Sequence, residues 1–235
     1  MPITKAPKLK QPLWKEWDFK AQKKGQHGTV YLVNGDHYTG EWKNNQKNGK
    51  GTQFWKKSGC YYDGDWKDNL RNGFGTYSKP FSRDGYRKVY AGGWKNDKKH
   101  GHGTNYYTST EYYEGEWYQN TRSGWGRMYY DNGCVYEGEW FNDKRNGSGM
   151  LRLENENRYE GEWKDDKKHG EGKFYHLDKG QVFIGTWVND IAKCGIMEDF
   201  NRETAADGTQ YPIPELKLLE PKKVLSDATQ ALESF

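Results

Sequence analysis

Hydrophobic and polar positions alternate along this chain in short runs of period two. In "YEGEW", Tyr136, Gly138 and Trp140 share one face while Glu137 and Glu139 share the other, which predicts a strand with one dry and one wet face. A second run follows each "GxG": "TQFW" at 52–55, "RMYY" at 127–130 and "KFYH" at 173–176. Its aromatic content again favours strand. Between runs, "VNGD" at 33–36, "DNGC" at 131–134 and "DKGQ" at 178–181 put Gly where a tight hairpin needs positive φ. The pattern predicts a succession of antiparallel hairpins.

The runs recur. "YxGxW" begins at Tyr38, Tyr62, Tyr90, Tyr113, Tyr136 and Tyr159, with a worn copy at Phe183 and a half unit from Gly28. The step is 23 or 24 residues except between the second and third copies, where it is 28. A fixed period of this kind is the signature of an array in which each unit leans on its neighbours. The extra residues fall in "SKPFSRDGYRK" at 78–88, where Pro80 and Gly85 suit a protruding loop or a bend. If Lys43 and Asn48 close the first loop, Trp42 lies opposite Gly49 and Gly40 opposite Gly51, so that indoles can file flat over residues without Cβ. In the last copy Cys194 replaces the first Gly, which predicts an irregular hairpin.

Composition fits an array better than a layered domain. Hydrophobic residues are 33% of the 235, yet aromatics reach 16%, with 11 Trp, 18 Tyr and 29 Gly, so any core is built from rings. A net charge of +4 from 37 basic and 33 acidic residues is too slight a bias to indicate nucleic acid as a partner. Three Cys without CxxC spacing, and no recognisable leader, lead to the expectation of an intracellular, cytoplasmic protein. No apolar run approaches the roughly 18 residues of a spanning helix.

"YxGxWxxxxxxGxG" at a period near 23 resembles the MORN repeat, the membrane occupation and recognition nexus. The resemblance implies an elongated, twisted, single-layer antiparallel sheet with an aromatic groove. It also implies scaffolding near membranes, cytoskeleton, axonemes, sperm structures or the acrosome. The fold class expected is therefore all-β, tandem hairpin repeats over 28–196 between a basic lead (1–27, with Trp14 and Trp17 covering the first hairpin) and an extension (197–235).

Binding is the expected activity, and catalysis is not. The carboxylate pair recurs in nearly every copy, which no single active site requires; cross-strand partners such as Thr52, Arg127 and Lys173 explain it better. His100 and His102 stand two apart like possible metal ligands, but His100 and His169 occupy the hairpin-end position that Asn48, Asn72 and Asn146 fill elsewhere, and Cys60 and Cys134 lack companions, so neither a metal, a cofactor nor a nucleophile is expected. The expected partner groove is formed by Tyr38, Trp42, Tyr62, Trp66, Tyr90, Trp94, Tyr113, Trp117, Tyr136, Trp140, Tyr159, Trp163 and Trp187, holding an apolar or aromatic protein segment. The alternative is anionic lipid held by a basic hairpin edge of Lys43, Lys47, Lys95, Lys98, Lys99, Lys144, Arg145, Lys167 and Lys168. Leu225, Ala228, Leu232 and Phe235 form one face of an expected short C-terminal helix, a surface for self-association as a homodimer or for covering the last repeat.

Overall fold

The structure, a computed structural model, describes residues 12–82 and 85–200. A helix, α1 (Leu13–Ala21), precedes fifteen strands: β1 (Gly25–Tyr31), β2 (His37–Lys43), β3 (Gln46–Phe54), β4 (Tyr61–Lys67), β5 (Leu70–Pro80), β6 (Tyr86–Lys95), β7 (Lys98–Tyr106), β8 (Tyr112–Tyr118), β9 (Thr121–Tyr129), β10 (Val135–Phe141), β11 (Lys144–Arg152), β12 (Arg158–Lys164), β13 (Lys167–His176), β14 (Gln181–Val188) and β15 (Ile191–Asp199). They form one open antiparallel sheet in strict chain order. Two compact units divide between Lys98 and Lys99.

Each "YxGxW" strand turns back through two residues in the left-handed region, such as Asn44 and Asn45 (φ 50° and 63°) or Asp165 and Asp166 (φ 49° and 69°). Such a turn matches the twist of the flanking strands, and Asn and Asp tolerate it. Because the loop is this short, Lys43 pairs with Gln46 and Trp42 with Lys47. Gly40 does lie opposite Gly51, but the expected pairing of Trp42 with Gly49 is corrected. Gly49, at φ 77°, sits in a bulge and faces Trp66 of the following repeat.

The core is a strip of rings within each unit. Tyr136 meets its own Trp140 at 5.2 Å and the next repeat's Trp163 at 5.3 Å, both edge to face. Such pairs contribute about 0.5–1.5 kcal/mol beyond the area they bury. The Tyr136 hydroxyl bends down onto the glycines and donates to Glu139 O at 3.0 Å. Trp66, Trp94, Trp117, Trp140 and Trp163 each tie back to the preceding repeat, as Trp66 Nε1 donates to Gly51 O (2.9 Å) and Trp163 Nε1 to Gly149 O (3.1 Å).

Three local expectations meet the structure. The inserted residues extend the β5–β6 hairpin as a longer arm, Lys79 pairing with Arg87 and Pro80 with Tyr86. The last hairpin is irregular: without a glycine at 194 the bulge contracts, and Gly195 rather than Ile196 lies opposite Gly185. In the lead, the residues after Pro12 form α1, Pro12 standing at the N-cap where its missing N–H is no loss, and the expected cover of the first hairpin by Trp14 and Trp17 is corrected. Trp14 and Trp17 stay exposed, and Lys23 closes the first hairpin, its ammonium 4.7 Å from the Trp42 ring. The expected C-terminal helix with Leu225, Leu232 and Phe235 lies outside the described residues.

Candidate partner-binding surface

The rings expected to line an open groove are interior. Tyr38, Tyr62, Tyr90, Tyr113, Tyr136 and Tyr159 have no exposed surface, and Trp42, Trp66, Trp94, Trp117, Trp140, Trp163 and Trp187 retain at most 8%. The expectation of an exposed aromatic row is thereby corrected. Tyr38, Tyr62, Tyr113, Tyr136 and Tyr159 are each closed over by the next repeat's Trp, 5.3 to 5.5 Å away, which a single repeat does not contain, and by a cation on their own hairpin's returning strand. Burial pushes these six phenols well above their ordinary pKa.

The same geometry divides the basic edge. Lys47, Lys99, Arg145 and Lys168 do not point into solvent but lie 4.2 to 4.9 Å over the rings of Trp66, Trp117, Trp163 and Trp187. Arg71 and Arg122 do the same at 4.1 Å over Trp94 and Trp140. Burial lowers the pKa of Lys47 and Lys168, while the ring quadrupole favours the cation. Lys43, Lys95, Lys98 and Lys167 are exposed at hairpin ends, and Lys144 pairs with Asp165 at 2.8 Å.

A recurrent element went unread in the sequence. The second loop residue is Asn or Asp in every copy: Asn45, Asn69, Asp97, Asn120, Asp143, Asp166 and Asp190. Its Oδ1 accepts the backbone N–H of the cation one repeat earlier, as Asn69 does from Lys47 (2.9 Å), Asp143 from Arg122 (2.9 Å) and Asp166 from Arg145 (2.9 Å). This hook fixes one hairpin to the last, and its signal was the strict Asn/Asp choice at that position.

The other face of the sheet is wet and open. Its carboxylates meet cross-strand partners as expected, Thr52 with Asp63 (2.8 Å) and Arg127 with Glu137 (2.7 Å). The carboxylate directly before the repeat Trp caps the bulge in three copies: Glu41 accepts from Lys50 N (3.1 Å), Asp65 from Phe74 N (2.8 Å) and Glu139 from Ser148 N (3.1 Å). Among these polar groups stand large apolar side chains. Phe74 in the first unit is 66% exposed; in the second unit Trp125, Tyr118 and Phe141 are 50%, 57% and 60% exposed. Trp125 fills the variable place inside "GWG", and Tyr118 and Phe141 follow the repeat Trp directly, a place filled by Lys43, Lys67, Lys95 and Lys164 in four other copies and by Val188 in the last. In the second unit two adjoining hollows of about 420 and 470 Å³ run over Gly149, Gly161, Gly172 and Gly185, sharing Glu160 and Gly161.

The His100 ring lies 5.4 Å from Tyr118, Cys60 and Cys194 are buried as free thiols, and among the described residues no group of three His, Cys, Asp or Glu could hold a metal ion. No helix of the described residues is long and apolar enough to cross a membrane. What this surface offers is shape, apolar contact and charge.

A chain of paired strands with Tyr, Gly and Trp at fixed places, bound laterally through side-chain hooks, defines the class. The chain belongs to the MORN repeat family, whose repeat matches residues 38–60, 62–80, 90–109, 113–135, 136–158 and 159–178. It is similar to MORN repeat-containing protein 3 of Xenopus laevis, with 63% identity over 233 residues that cover 99% of this chain and 98% of that protein. It is also similar to the proteins of that name from Homo sapiens and Bos taurus, 66% and 65% identical over 229 residues, covering 97% of this chain and 95% of each. MORN repeat proteins are generally interaction modules.

Proposed function

We propose that this chain is a non-enzymatic scaffold that holds segments of other proteins against the wet face of its sheet, in assemblies of the cytoskeletal or axonemal kind that the family resemblance implies. The observation that carries the reading is the set of exposed rings on an unlayered face: Trp125, Tyr118 and Phe141 in the second unit and Phe74 in the first. Large apolar side chains left in water on such a face mark an interaction surface, because each gains by being covered. The glycine-floored hollows beside Trp125 give a partner access to the backbone.

Lipid binding through the loop cations is the weaker reading. Four of the nine cations it needs lie over Trp rings and a fifth is paired with Asp165.

Capture by immobilised full-length protein, read by mass spectrometry, tests the proposal. Wild-type protein retains a reproducible partner set, and Trp125→Ala or Phe141→Ala, both folded, lose it. Retention unchanged in both variants, or specific retention by neither wild type nor variant, overturns the reading.

A further inference from the structure

We infer that the trough on the wet face of the second unit accepts a basic protein segment, one in which an apolar residue stands between Lys or Arg side chains. This rests on the scaffold reading and gives its partner a chemistry.

Charge selects the occupant. The two adjoining hollows are lined by Glu137, Glu160, Glu162 and Glu171 against the single cation Lys173. Glu137 and Glu160 have arginine partners, Arg127 and Arg158, each at 2.7 Å. Glu162 and Glu171 form no ion pair with any described residue. Unpaired carboxylates facing a recess raise its affinity for cations and repel phosphate, so a nucleic acid or an anionic headgroup is disfavoured there.

Shape selects the residue between the cations. The floor is backbone at Gly149, Gly161 and Gly172, and Trp125 and Ile184 stand at the two ends of the recess. An aliphatic or aromatic side chain entering between the carboxylate pairs covers part of Trp125, which is 50% exposed, while its basic neighbours reach the rim. The paired glutamates of "YEGEW" return every second strand, roughly 10 Å apart. Two turns of helix, about 11 Å, present cations at a matching interval.

The test uses full-length protein and two fluorescein-labelled peptides of about twelve residues, roughly 18 Å as helices. They are identical except that Lys and Arg around central Leu and Phe residues in one are Glu in the other. Anisotropy should show binding of the basic peptide alone, weakened by salt as exposed charge pairs are. Glu162→Gln combined with Glu171→Gln should lower that affinity by about tenfold or more, since charge complementarity is lost while the amide keeps its size and hydrogen bonding. Its melting temperature should stay at the wild-type value. No binding of the basic peptide, equal binding of the two peptides, or an unaffected double variant overturns the inference. The capture experiment decides the scaffold reading separately: partners still retained by the double variant and not displaced by the basic peptide leave the scaffold standing and remove this partner chemistry.

Discussion

A Cβ placed on Gly138 would come within 2.7 Å of the Tyr136 hydroxyl. The tyrosine lies flat on the glycine pair of its own hairpin, and the next indole closes over it. The glycines are therefore the floor of the core, and the open surface is the other side of the sheet.

Gly138→Val should destabilise the protein by about 1–3 kcal/mol, the usual cost of forcing side-chain atoms into a packed interior. Gly28, which has nothing within 4 Å of such a Cβ and no positive φ, provides the control. Urea denaturation of Gly28→Ala should match wild type within error.

Trp140→Ala should cost about 3–5 kcal/mol, because a ring 3% exposed leaves a cavity between Tyr113 and Tyr136. Thermal melts followed by far-ultraviolet circular dichroism give the comparison. A melting temperature equal to wild type would show that the ring is not part of the core.

The hook predicts a graded series. Asp166→Ala removes the acceptor of the Arg145 N–H and of its guanidinium Nε, which should cost about 1–3 kcal/mol. Asp166→Asn should be milder, since Asn45, Asn69 and Asn120 hold the same bond elsewhere. Chemical denaturation of the two variants should rank Ala below Asn.

Acid should loosen the second unit. Burial lowers the pKa of His169 and His176 below the ordinary 6.5. The unfolded chain then binds protons that the folded chain does not, so stability is full above about pH 6.5 and falls as pH drops through the lower folded values. His169 Nδ1 accepts from Asn189 N at 3.4 Å, a bond that protonation removes. Melting temperatures between pH 8 and 5 should decline below about pH 6.5, and less so in His169→Gln.

The hairpins were legible because period-two alternation and Gly-bearing turns are local signals, and Gly40 opposite Gly51 followed from them. Trp42 against Gly49 was misread because the left-handed pair Asn44 and Asn45 closes the loop earlier than Lys43 and Asn48 would. Burial of the rings was not legible from one repeat: Tyr136 is covered by Trp163 and Arg145, which belong to the next repeat and to the returning strand. Trp125 stood in plain view, but its place inside "GxG" read as a variable position. The wet face therefore drew no notice as the surface with exposed rings.

The measurement that tests the account most directly is partner retention by folded Trp125→Ala, taken beside its melting curve. The account predicts a wild-type melting temperature, since the ring is half exposed and no part of the core, together with loss of the retained partner set. A variant that melts as wild type and keeps every partner would contradict it.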